Sequence, residues 1–158
     1  MAADRSLQPG TRAPKFSLRT LAGEEKSLDQ FLEKGAVLLA FFKISCPVCQ
    51  LTLPYLERLK NGKLQLVAIS QDDAESTREL YNEFRISIDT LLDSEDDGYP
   101  VSNAYGLTHV PTMFIIEQNG LIGEVINGFV KRQIATIGTR SGIAPFGPGD
   151  YAPEWKPG

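Results

Sequence analysis

The stretch Phe41–Pro54, FFKISCPVCQLTLP, holds both cysteines of the 158-residue chain, Cys46 and Cys49, with Pro47 and Val48 between them. Such a pair fits a redox couple, half of a metal site, or buried packing. The flanks decide among these. Upstream, Ala36–Phe42 is an apolar run without alternation, the length of a strand buried on both faces. Downstream, Val48, Leu51, Tyr55 and Leu59 recur at helical spacing, so a helix begins near Cys46 and ends by Asn61-Gly62. Pro54 falls inside it and predicts a kink. Leu64–Ser70 (LQLVAIS) is the next strand. Strand–helix–strand predicts two parallel strands joined by a right-handed crossover.

Cys46 therefore stands where a buried strand gives way to a helix. The first N–H groups of a helix are unpaired and carry partial positive charge, which stabilises a thiolate, the nucleophilic form. Lys43, three residues earlier, adds positive potential. Pro47 suits the first helical turn, where its missing N–H is not needed. Cys49 lies one turn further in, close enough to attack a mixed disulfide formed at Cys46. Mere packing of two cysteines does not account for this placement. Structural zinc takes about four ligands. The chain has two cysteines and one histidine, so zinc would need a partner subunit.

The rest of the chain reads as one domain. Its 42% apolar and 23% charged residues are ordinary for a globular protein, and no apolar run nears the length of a membrane span. The start, MAADRSLQPG, shows no leader pattern, which favours the cytoplasm. Net charge is −4 and the basic residues are scattered, so nucleic acid is not an expected partner. Residues 1–12 read as a loose, flexible N-terminus. PKFSLRTLAGEEKSL reads as a strand at Phe16–Arg19, a turn at Gly23 and a return. Ser27-Leu28-Asp29-Gln30 fits a capping box for a short helix over Leu28–Glu33. DDAESTRELYNEF is a helix capped by Asp72 or Asp73, with Thr77, Leu80, Tyr81 and Phe84 on one face. A strand at Thr90–Leu92 and a short helix around Val101–Tyr105 follow. Met113–Ile116 and Leu121–Ile126 flank Asn119-Gly120, a two-residue hairpin signal. Val130, Ile134 and Ile137 mark a closing helix. The tail from residue 141 to 158 is rich in Pro and Gly and is expected to lack regular structure, although Phe146, Tyr151 and Trp155 could dock on the domain.

Pro111 in THVPTMFII precedes a strand, where proline is tolerated. With it, the order of strand, Cys46-Pro47-Val48-Cys49, helix with Pro54, strand, helix, Val110-Pro111-Thr112, hairpin and helix resembles the thioredoxin-like superfamily. GTRAPKFSLRTLAGEEKSLDQF, AISQDDAESTRELYNEF and DTLLDSEDDGYPVSNAYGLTHVPTMFIIEQNGLIGEVINGF resemble its redoxin branch. That branch includes the alkyl hydroperoxide reductase/thiol-specific antioxidant group and the thioredoxin-like proteins of cytochrome maturation. The resemblance covers about residues 8–138.

It implies an α/β fold with a mixed four- to five-stranded sheet, helices on both faces and an N-terminal β-hairpin extension. The redoxin domain would be residues 13–140. The resemblance also implies Cys46 as attacking thiol, Cys49 as resolving thiol, and a cis Val110–Pro111 bond facing them, with the backbone of Val110 open to an extended peptide. Three departures stand out. The buried Asp that thioredoxins carry six residues before the first cysteine is Ala40, the Glu of some cytochrome-maturation relatives is Thr52, and the usual Trp is Ser45. The familiar proton acceptor for the second cysteine is thus missing.

The expected reaction is reversible disulfide exchange with protein or small thiol partners and an electron-donor thiol protein. It needs no bound cofactor and no metal, and a monomer suffices. A peroxiredoxin is the rival enzyme. Its pattern has Thr or Ser three residues before the cysteine and Pro seven before, and here those are Lys43 and Leu39. A third reading is a binding module that uses the same groove without turnover. His109, the only histidine, falls two residues before Pro111 and would lie near the thiols, able to tune them or move a proton; a plain exposed loop histidine is the alternative. Asp93, Glu95, Asp97 and Gly98 mimic part of a calcium loop. The twelfth position, however, is Ala104, and Pro100 breaks the pattern, so a solvated acidic turn is expected.

Overall fold

A computed structural model describes residues 6–158. The central strand β3 (Val37–Phe42) is buried along its whole length. Its side chains alternate between two cores. Leu38, Ala40 and Phe42 face one, and Val37, Leu39 and Phe41 the other. This explains an apolar run without alternation: both faces are covered, so neither has polar positions. β3 pairs in parallel with β4 (Gln65–Ser70), and β4 in parallel with β5 (Asp89–Leu92). On its other side β3 pairs antiparallel with β6 (Thr112–Ile116), which pairs antiparallel with β7 (Ile122–Asn127).

These five strands match the expected sheet. Two more extend it. The N-terminal hairpin of β1 (Ser17–Thr20) and β2 (Glu25–Ser27) docks β1 onto β5, so the sheet has seven strands in the order β2-β1-β5-β4-β3-β6-β7. The hairpin was expected beside the sheet; the register Arg19↔Leu92 and Thr20↔Leu91 makes it part of the sheet.

Helices cover both faces. α2 (Pro47–Glu57), α3 (Ala74–Phe84) and α5 (Lys131–Ser141) send Leu53, Leu56, Leu80, Tyr81, Ile134 and Ile137 into one core. α1 (Leu28–Leu32) and α4 (Pro100–Ala104) contribute Leu28 and Val101 to the other, where Phe41, Tyr105 and Phe114 pack with ring centroids 5.2–5.8 Å apart. α1 has both bonds of the expected capping box, Gln30 N–H to Ser27 Oγ and Ser27 N–H to Gln30 Oε1. Asp73, not Asp72, caps α3.

Four local expectations change. In the β6–β7 turn only Gly120 of the Asn119-Gly120 pair has positive φ (+88°), and its N–H donates to Glu117 O at 2.8 Å. The type I′ turn that an Asn-Gly pair favours needs positive φ at both central residues, so the chain turns over Glu117–Gly120 instead, with a register shift at Ile115/Ile116. Asp93 is not solvated. It is fully buried and accepts from Val101 N, Ser102 N and Ser102 Oγ at 2.6–3.0 Å, holding the start of α4. The tail does form a strand: β9 (Trp155–Lys156) pairs antiparallel with β8 (Phe129–Val130). Phe146 docks against Tyr55 and Phe129 as expected, whereas Tyr151 is 96% and Trp155 60% exposed. Of the N-terminal stretch read as loose, residues 1–5 lie outside the described residues. From Leu7 on, the backbone bonds to Tyr105 O and to β7 through Gly10 N–H and Ile122 O. Among the described residues no helix is long and apolar enough to cross a membrane.

Candidate active site

β3 ends at Phe42, and after three intervening residues Cys46 caps α2. The connecting loop is braced from two sides. Ile44 N–H donates to Asp72 Oδ2 at 2.8 Å, and Gln50 Nε2 donates to Ile44 O at 2.8 Å. Pro47 occupies the first helical turn. In place of the oxygen of an ordinary capping side chain, Cys46 Sγ accepts the Cys49 N–H at 3.1 Å. An N–H of the first helical turn thus points at the sulfur.

The two thiols differ sharply in surroundings. Cys46 is half-buried, while Cys49 is 0% exposed beside Leu53 in the core. Burial, followed by the contact with Cys46, pushes the Cys49 thiol well above its ordinary value; the charge of Asp72 pushes the same way, and a backbone hydrogen bond at Lys43 opposes. Cys46 Sγ also faces Val110 O at 3.5 Å. The Val110–Pro111 peptide is cis, and Pro111 is buried. The Thr112 hydroxyl donates to His109 O at 2.9 Å, which ties that corner to the start of β6.

The structure therefore brings Cys46, Pro47, Cys49, Val110 and Pro111 together. Lys43 stands beside the site with its ammonium over the Tyr99 ring, 5.8 Å from the centroid. His109 is next to Val110, but its Nδ1 is engaged with Thr108 Oγ1 at 3.0 Å. Ala40 sits buried in β3, and Thr52 Oγ1 donates to Val48 O within α2, so neither supplies an acid or base. Among the described residues no three His, Cys, Asp or Glu side chains gather as a metal site.

Asp72 is the member that the sequence reading missed, having been weighed only as a helix cap. Its signal was position. It follows β4, the parallel neighbour of β3, with Phe42 paired to Ser70, so both strands deliver their C-terminal loops to one edge.

Comparison with known proteins bears on the same region. Residues 9–125 match the AhpC/TSA family. The chain is 30% identical to the thioredoxin-like protein YneN of Bacillus subtilis, over 80% of this chain and 76% of that protein. It is 31% identical to the thiol-disulfide oxidoreductase ResA of Geobacillus thermodenitrificans, over 78% and 72%. Among solved structures, the thioredoxin domain of a thiol-disulfide oxidoreductase from Bacteroides vulgatus superposes with a TM-score of 0.75 at 23% identity, covering 86% of this chain and 99% of that one. Peroxidoxin BcpB of Mycobacterium tuberculosis gives 0.69 at 19%, covering 85% and 96%. At these identities the structures speak for the fold alone. The family match spans both cysteines and the cis proline, and the chain belongs to the AhpC/TSA family.

Proposed function

We propose that the protein is a thiol-disulfide oxidoreductase whose redox couple is Cys46 and Cys49. The observation that carries this reading is the asymmetry of the pair: one accessible sulfur that receives a helix N–H, and one buried thiol held behind it. The Cys46 thiolate attacks one sulfur of a partner disulfide. The S–S bond breaks, the departing sulfur takes up a proton, and a mixed disulfide remains at Cys46. Cys49 then loses its proton and attacks Cys46 Sγ, which frees the second partner thiol and leaves the Cys46–Cys49 disulfide. Two electrons have passed to the partner, and a donor thiol protein returns them by the reverse sequence. The sulfurs carry the electrons, so the reading needs no cofactor. Its partners are protein dithiols and disulfides. The working unit is residues 13–140, with 141–158 as an added tail, acting as a monomer.

The peroxidase reading is less well supported. Leu39 is fully buried in β3 where the peroxidase pattern has Pro, and Lys43 replaces the hydroxyl that would position peroxide.

Replacing Cys49 by Ser tests the exchange reading. Cys49→Ser should accumulate stable mixed disulfides through Cys46, and Cys46→Ser should form none. Both variants should lose at least about a thousandfold in disulfide reduction, since neither thiol alone completes the cycle. Peroxide turnover that survives Cys49→Ser, with no mixed disulfides, would favour the peroxidase.

A further inference from the structure

The chain's last residues run back to the thiol site. β9 pairs with β8 in the register Val130↔Trp155 and Phe129↔Lys156. The Lys131 N–H, first in α5 and lacking a side-chain cap, donates to Glu154 O at 3.0 Å. Beyond β9 the chain passes Gly128, whose φ of +76° and lack of a Cβ let Lys156 O and Gly158 N approach closely. Gly128 N–H is bonded in turn to Pro111 O at 2.8 Å. The chain then meets the cis-proline corner: a methyl group built on Gly158 would stand 2.5 Å from Val110 O and 2.7 Å from His109 Cδ2. Val110 O is the same atom that faces Cys46 Sγ.

We propose that Trp155–Gly158 is a specificity element. Docked, it occupies the backbone flank from Gly128 to Val110 beside Cys46, so a polypeptide disulfide must displace it whereas a small disulfide need not. The proposal rests on the exchange reading of Cys46 given above.

The attachment suits displacement. Upstream, the tail is pinned by Phe146 between Tyr55 and Phe129, and by a paired bond from the Arg58 guanidinium to Asp150 at 2.7 and 3.0 Å. Past Asp150 the hold is slight. Tyr151 is almost wholly exposed, β9 is two exposed residues long, and Glu154 meets Lys131 Nζ only at 3.8 Å. Short, exposed pairings open at little cost. An extended peptide presents the same backbone donors and acceptors. Once joined covalently to Cys46, it competes at a high effective concentration. A small thiol on Cys46 brings no backbone to compete.

Trp155 is the only tryptophan, so its emission reports on this segment without labelling. Full-length Cys49→Ser would be loaded through 2-pyridyl disulfides of either an octapeptide with a central cysteine or cysteamine. In each case the Cys46 sulfur takes the peptide or cysteamine sulfur and releases pyridine-2-thiol. The peptide adduct should lower the anisotropy of Trp155 and speed hydrogen exchange at the Lys131 amide at least about tenfold, and the cysteamine adduct should change neither. A peptide adduct with the segment still docked overturns the proposal, as does equal release by both adducts. A chain that takes up neither thiol overturns the reading of Cys46 itself, and this inference with it. Independently, Trp155→Gly/Lys156→Gly should raise the rate of protein-disulfide reduction about threefold or more while leaving a small aromatic disulfide unaffected. Equal effects on both substrates would also overturn it.

Discussion

Cys49 must lose a proton to finish each cycle, and its surroundings oppose that. Burial, the largest cause, holds it in the neutral form. An acid whose titration is raised has less thiolate at any given pH. The release step should therefore accelerate about tenfold per pH unit and show no plateau below about pH 9. Single-turnover release of a preformed Cys46 mixed disulfide, followed from about pH 6 to pH 9, measures this; a plateau near neutrality would contradict it. Asp72 contributes by its charge, and it separately accepts the Ile44 N–H. Asp72→Asn keeps an acceptor for that bond but removes the charge, so release at neutral pH should quicken about two- to threefold. At this scale the reactive pair was legible, because residue type and spacing mark it. Asp72 was not, because its action crosses from one strand end to another.

At the scale of elements, local chemistry carried most of the reading. The capping box of α1 and the helical spacing after Cys46 involve neighbours in the chain, and both helices form where those neighbours require. The tail is different. Its anchor is the pair Arg58–Asp150, which holds the Asp150 carboxyl down at about 2, helped by Gly147 N–H. A depressed carboxyl stabilises the docked tail above its ordinary value of 3.8 and loses that contribution as pH falls through about 2. Trp155 anisotropy should accordingly drop between about pH 4 and pH 2, and Asp150→Asn should abolish that step while leaving the tail loose at neutral pH. A step of unchanged size in the variant would show that other carboxylates hold the tail.

For the whole molecule, three buried acids share one sign. Burial raises Tyr81 and Tyr105 from 10.0, as it raises Cys49 from 9.0. Each favours the folded state fully below its ordinary value, and that contribution fades as pH climbs, because the unfolded chain then releases protons that the folded one retains. Urea midpoints should be level from about pH 6 to 8 and fall steadily above about pH 9. Tyr105→Phe, which keeps the aromatic packing but loses the bond to Pro14 O, should flatten the alkaline fall. An undiminished slope in that variant would assign the loss to the other two groups.

What the sequence alone determined is local. A doubly buried strand leads into a helix capped by a thiol, and a second thiol lies one turn later; periodicity and capping act over a few residues and can be read in order. Contacts between distant segments were decided only on folding. The hairpin joined the sheet through β5, one cysteine stayed accessible while its neighbour was buried, a carboxylate from β4's end braced the thiol loop, and a proline-rich tail found a strand partner at Phe129–Val130. Burial and strand pairing depend on what the rest of the chain places alongside, and no short stretch carries that information.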